Sequence, residues 1–105
     1  MKSVNLENDL AFNNLKSQYK VIYLQFSATW CGPCKLITPI VQDYVKQLNH
    51  PGVYAYCDID EFDSIAESLG INSIPAFCKY DVEQGTYSEI VISSDITNVK
   101  KIFNI

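Results

Sequence analysis

Arginine is absent from this 105-residue chain, and all eight of its formal cations are lysines. Recognition of nucleic acid leans on arginine forks and basic patches, so that class of partner is not expected. Lysines are outnumbered by twelve acids, for a net charge of −4. No apolar run approaches the ~20 residues a membrane helix needs, and no membrane association is expected. The opening MKSVNLENDL lacks an apolar signal core, which points to a cytoplasmic protein. Glycine and proline are scarce, at four each, and histidine, methionine and tryptophan occur once each. Linkers and low-complexity tracts have no composition to be built from, so residues 1–105 read as a single domain. What is present in quantity is apolar, 48% of the residues, enough for one ordinary core.

The elements alternate from end to end. A weakly marked strand over Lys2–Asn5 precedes a helix running from Leu6 to about Gln18, with Asn5 as N-cap and Leu6, Leu10 and Leu15 on one face. VIYLQFS, Val21 to Ser27, has the density of a central strand covered on both sides. A long helix follows Cys34, with Leu36, Ile37, Ile40, Val41, Tyr44, Val45 and Leu48 as its apolar face and Pro39 inside it. His50 stands at its end, where a cation suits the dipole. Val53–Ile59 reads as a strand, and Asp63–Leu69 as a short helix stopped by Gly70. Ala76–Tyr80, a polar loop at Asp81–Gly85 and Thr86–Ile92 form a hairpin. Ser94 or Asp95 caps a last helix that turns Ile96, Val99, Ile102 and Phe103 inward. Crossover helices early and a hairpin late imply an α/β fold with a mixed sheet between helices.

The chemistry sits in Trp30-Cys31-Gly32-Pro33-Cys34, between the central strand and the long helix. Cys31 should lie at the helix N-terminus, where unpaired N–H groups and the dipole favour a thiolate. Its pKa should fall below the ~8.5 of free cysteine. Cys34 comes one turn later and should be more buried. Cys31 can then attack a disulfide and Cys34 can resolve the mixed disulfide, closing Cys31–Cys34. Pro33 wastes no N–H in the first turn. Two other uses of the pair remain open. A structural bridge over so few residues would restrain the unfolded chain little. A zinc site would need partners from Cys57, Cys78 and His50, none in a second C-x-x-C pair, so no metal is expected.

WCGPCK after a hydrophobic strand, with Ile74-Pro75 far downstream, closely resembles the thioredoxin family, and the resemblance covers essentially the whole chain. It implies a thioredoxin fold, a central mixed five-stranded sheet flanked by four helices. It also implies a protein-disulfide reductase with no bound cofactor, only a redox-active Cys31–Cys34 disulfide. Its partners would be disulfide-containing client proteins and a thioredoxin-reductase-type electron donor, and a monomer is the default. By position, Cys31 attacks and Cys34 resolves, while Gly32 and Pro33 set the potential. Trp30 would flank a docking surface, and core packing is the other use of such a residue. Pro75 would be cis, presenting the backbone of Ile74 to an extended client.

The chain departs from the family at a few positions. Gln25 stands where the family buries an aspartate, and Tyr56 where a lysine pairs with it. Glutamine hydrogen-bonds but does not titrate, so the resolving step should lack a carboxylate-dependent stage. Ala76 replaces a common threonine, and Ser93 a glycine near the substrate groove. In the family's strand order Cys57 and Cys78 flank the active-site strand, ~9.5 Å apart and too far to bridge. Both read as small buried residues, with regulation by oxidation or glutathione as the functional alternative. Two other functions are consistent with the motif: a disulfide oxidase or isomerase, and a module that holds a partner in the same groove.

Overall fold

The computed structural model describes residues 1–103 and runs β1 (Lys2–Asn5), α1 (Asp9–Gln18), β2 (Val21–Ser27), α2 (Gly32–Gln47), β3 (Val53–Asp58), α3 (Ser64–Ser68), β4 (Ala76–Asp81), β5 (Thr86–Tyr87), β6 (Val91–Ile92) and α4 (Ile96–Val99), the last continued by a 3₁₀ turn over Lys100–Phe103. The sheet order is β1-β3-β2-β4, with β5 and β6 both on the far side of β4. β1, β3 and β2 are parallel, and β4 turns back antiparallel to β2. β2 is therefore central, and all of it but Val21 is buried. Among the alternating residues of these strands, Leu24, Phe26, Ala55, Cys57, Ala76 and Cys78 pack toward Phe12 and Leu15 of α1 and Ile65 and Ala66 of α3. Tyr23, Tyr54 and Phe77 point the other way, onto Ile37, Val41 and Val45 of α2 and Val99, Ile102 and Phe103. The period of two along each strand thus builds two cores from one sheet.

Local chemistry sets the element ends, and some differ from the sequence reading. α1 is capped by Asn8, whose side-chain oxygen accepts from the Ala11 N–H at 2.8 Å, and not by Asn5. Asn5 is held extended by pairing with Tyr56, and the Leu6 N–H continues that ladder to the Tyr56 carbonyl at 2.8 Å. A helix cannot begin until that pairing ends. Leu10 then falls about 200° around the helix from Phe12 and is 69% exposed, off the expected apolar face. On α2 the buried stripe narrows to every fourth residue, Ile37, Val41 and Val45, while Leu36 and Ile40 face outward.

α3 ends as expected at Gly70, in a Schellman motif. The Gly70 N–H reaches the Glu67 carbonyl at 3.0 Å and the Ile71 N–H the Ala66 carbonyl at 2.9 Å, with Gly70 at φ 68°. His50 serves the chain differently from a helix cap. Its Nδ1 accepts from the Gly52 N–H at 2.9 Å, closing the turn into β3, and its ring meets the edge of Tyr23.

The hairpin strand expected over Thr86–Ile92 is interrupted. Between the pairs Phe77–Val91 and Tyr80–Tyr87, two residues of β4 face three, Ser88 to Ile90. This is a bulge. The Lys79 N–H donates to the Ser88 hydroxyl oxygen at 2.8 Å, so a side chain stands in for a backbone acceptor. β5 and β6 are the two halves of one bulged edge strand. Asp95 caps α4 through the Thr97 N–H at 2.9 Å, as its position suggested.

Candidate active site

β2 ends at Ser27 and α2 begins at Gly32, so the intervening turn places Cys31 as the helix N-cap. Its backbone is extended, at φ −84° and ψ 109°. Its sulfur accepts the Cys34 N–H at 3.2 Å, where a serine or aspartate oxygen would sit in an ordinary cap. Pro33 occupies the first turn, where its missing N–H costs nothing. Cys34 comes one turn on, its Cα 5.3 Å from that of Cys31, and the two sulfurs form a disulfide. Cys31 is 5% exposed and Cys34 1%, so the first cysteine is the more accessible, as the helix register required.

This arrangement has a direct chemical reading. When the bridge opens, the charge on Cys31 faces an N–H donor and the positive end of a sixteen-residue helix. Cys34 has no such exposure and stays within bonding reach. An added side-chain atom at Gly32 would meet nothing within 4 Å, so that glycine is not demanded by packing.

The other residues named from the sequence converge on the same end of the sheet. The Ile74–Pro75 bond is cis, and the Ile74 carbonyl oxygen lies 3.8 Å from the Cys31 sulfur. Ile74 and Ile59 pack against the cluster of Ala28, Cys31 and Cys34. Trp30 is 66% exposed, which removes the core-packing alternative. Its indole N–H donates to the Asp60 carboxylate at 2.8 Å. Ser93 lies one residue past the Ala76–Ile92 pair, and its hydroxyl oxygen accepts from the Asp95 N–H at 3.0 Å.

Gln25 is fully buried, and both ends of its amide are used. Its Nε2 donates to the Thr38 hydroxyl at 2.8 Å, and its Oε1 accepts from the Tyr54 hydroxyl. The Thr38 hydroxyl in turn donates to the Cys34 carbonyl oxygen at 2.7 Å. A neutral chain of hydrogen bonds therefore ties strands β2 and β3 to the first turns of α2. Tyr56 lies directly beside Gln25 in the β2–β3 register, so the two family departures are neighbours in space. Thr38 and Tyr54 did not enter the sequence reading, and Ser27 entered it only as the end of a strand. Thr38 carried a usable signal, since a threonine four residues after Cys34 in a helix can bond back to its carbonyl.

Cys57 and Cys78 are buried and unbridged, on strands either side of β2. Burial pushes the Cys57 thiol up to about 12, helped by the Asp58 and Asp63 carboxylates, and burial alone does the same to Cys78. The Cys57 thiol donates to the Phe62 carbonyl at 3.2 Å. These are inert, core-filling groups. Among the described residues no cluster of three or more His, Cys, Asp or Glu side chains could hold a metal. No helix there is long and apolar enough to cross a membrane.

Comparison with known proteins gives this geometry a setting. Thioredoxin H4 of Arabidopsis thaliana is 36% identical over 62 residues, 59% of this chain and 52% of that protein. An H-type thioredoxin of Oryza sativa subsp. indica is 36% identical over 72 residues, 68% of this chain and 57% of that protein. The matched segments thus span little more than half the length of these relatives. The fold agrees over a longer stretch. The oxidized mitochondrial thioredoxin 3 of Saccharomyces cerevisiae superposes with a TM-score of 0.82 at 28% identity, covering 97% of this chain and 94% of that one. The sequence also matches the thioredoxin family pattern from residue 3, in β1, to residue 102, in the closing 3₁₀ turn. With a cysteine sulfur capping the helix and its partner one turn behind, this chain belongs to the thioredoxin family.

Proposed function

We propose that the chain is a thiol–disulfide oxidoreductase that reduces disulfide bonds in client proteins. The observation that carries this is the Cys31 sulfur, held at a helix N-terminus, bonded to Cys34 and edged by the backbone of Ile74. In the reduced protein the Cys31 thiolate attacks a client disulfide and expels one client thiolate. Cys34 then attacks Cys31, the second client thiolate leaves, and the Cys31–Cys34 bond closes. Two electrons pass from the dithiol to the client, and a thioredoxin-reductase-type donor restores them.

Trp30, Ile74 and Pro75 form the client-docking rim in this reading, and Gly32, Pro33 and Gln25 tune the pair. The exposure of Trp30 and the Ile74 carbonyl beside the Cys31 sulfur support those roles. The whole of 1–105 acts as one thioredoxin domain and works as a monomer. A reducing cytoplasm suits a chain with two free buried thiols, since stable bridges are rare there.

The test is reduction of a disulfide-bonded protein by wild type, Cys31→Ser and Cys34→Ser. Cys31→Ser should be inactive and form no adducts. Cys34→Ser should accumulate covalent client complexes, which mass spectrometry identifies. Activity surviving Cys31→Ser would end this reading, and a measured potential above that of the glutathione pool would favour an oxidase.

A further inference from the structure

Cys34 resolves the mixed disulfide only if its sulfur stays aligned on Cys31 after the bridge has opened. Two hydrogen bonds of the first helical turn end on Cys31 itself. The Cys34 N–H reaches the Cys31 sulfur at 3.2 Å, and the Lys35 N–H reaches the Cys31 carbonyl at 3.2 Å. A client bound through Cys31 pulls on both. The turn is also short of one backbone tie, because Pro39 brings no N–H to the Lys35 carbonyl. Helix ends held by few bonds fray. The Thr38 hydroxyl supplies a tie of another kind. It donates to the Cys34 carbonyl at 2.7 Å and accepts from Gln25 Nε2 at 2.8 Å, and Gln25 Oε1 accepts from the Tyr54 hydroxyl. Gln25 and Tyr54 are buried on the neighbouring strands β2 and β3 in the middle of the sheet. The peptide group of Cys34 is thereby fastened to the sheet, and not to the residue that carries the client.

We propose that Thr38 is a positioning residue for the resolving step: held by Gln25, its hydroxyl keeps the first turn of α2 against the sheet, so that the Cys34 sulfur stays in line with the Cys31–client bond. The inference rests on the dithiol reading above and adds no reactant to it. Cys34 gives up its proton and bonds to the Cys31 sulfur. The client thiolate leaves with the electron pair of the broken bond and takes up a proton. Thr38 acts on this step through the backbone of Cys34. A tie of this kind raises the effective concentration of one thiol beside the other. Two quantities follow that concentration: the rate at which the mixed disulfide closes, and the reduction potential of the pair. A side chain that only stabilised the fold would move neither.

The two chemical steps separate in a single-turnover experiment with the reduced chain and a disulfide peptide. Acid quenching at millisecond intervals, followed by mass spectrometry, counts the reduced chain, the covalent adduct and the bridged chain. Thr38→Val removes the hydroxyl and keeps the shape. It should form the adduct within about threefold of the wild-type rate and close the bridge about tenfold more slowly, so that the adduct accumulates. Its pair should be less reducing by about 30 mV, the equivalent of that tenfold for two electrons. Thr38→Ser keeps the hydroxyl and should restore both, closing within about threefold of wild type. Thr38→Ala, whose better helix propensity favours folding, should behave as Thr38→Val does. Ile37→Val trims the core one residue away, and should lower the melting temperature while leaving closure and potential unchanged. Wild-type closure and potential in a folded Thr38→Val or Thr38→Ala chain would overturn the proposal. So would Thr38→Ser closing as slowly as Thr38→Val, or Ile37→Val slowing closure to the same degree. A wild-type chain that forms no adduct and no bridge would instead remove the oxidoreductase reading itself.

Discussion

The backbone N–H of Cys34 donates to the sulfur of Cys31 across 3.2 Å, so the residue that resolves the reaction also helps prepare the residue that starts it. The contact favours charge on Cys31 and none on Cys34. In the reduced protein, alkylation followed against pH should show Cys31 with an inflection below the ~8.5 of free cysteine, and Cys34 above it. Peptide mapping after limited iodoacetamide treatment distinguishes the two.

The neutral chain through Gln25 makes a prediction about stability. Tyr54→Phe removes the hydroxyl that Gln25 Oε1 accepts from and strands that oxygen in the core. The expected loss is about 1–3 kcal/mol in urea unfolding. Gln25→Asp places a carboxyl at a fully buried position where the native side chain meets only the neutral hydroxyls of Thr38 and Tyr54. Burial raises its folded-state pKa above the unfolded value. The folded protein then holds the proton more tightly, so this variant should lose stability relative to wild type as pH rises above ~4. Its resolving step should also acquire a carboxylate inflection that wild type lacks.

Alkaline conditions should expose the two core thiols. Cys57 and Cys78 titrate near 9 in the unfolded chain and are pushed up to about 12 in the folded one. Between these values the folded state binds more protons than the unfolded state. Stability should therefore be insensitive to these groups below pH 8 and fall as pH rises past 9. Cys78→Ala should flatten that fall. At neutral pH neither thiol should label in the native protein, and both should label in denaturant.

Adjacent apolar residues on α2 should respond very differently to truncation. Ile37 is 1% exposed and sits between sheet and helix, so Ile37→Ala should cost about 2–5 kcal/mol. Leu36 is 72% exposed, and Leu36→Ser should change stability by no more than about 0.5 kcal/mol. Paired melts of the two variants check this.

Element order, the central strand and the paired cysteines were legible because each has a short-range cause. Apolar density marks β2, Gly70 marks a left-handed stop, and the C-x-x-C spacing places two sulfurs one turn apart on a helix. The start of α1 was not legible, because Asn5 and Asn8 are equally good caps and the choice is made by pairing with a strand some fifty residues away. Leu36 and Ile40 share the apolar spacing of Ile37 and Val41, and only the side of α2 that meets the sheet separates them. The break at Ser88 depends on a side chain reaching the Lys79 N–H of the neighbouring strand. The site was legible at Cys31 and Cys34, while its polar surroundings, Thr38, Tyr54 and Ser27, come together only through tertiary packing.

That break has a consequence for how the molecule behaves in a crowd. Open sheet margins invite a second chain to continue the ladder, and straight, uninterrupted ones invite it most. Here the margin beyond β4 is divided into two two-residue pieces with a kink between them. No incoming strand can stay in register along its length, and the exposed Glu89 carboxylate stands in the kink, so this side of the sheet resists the stacking that leads to fibres.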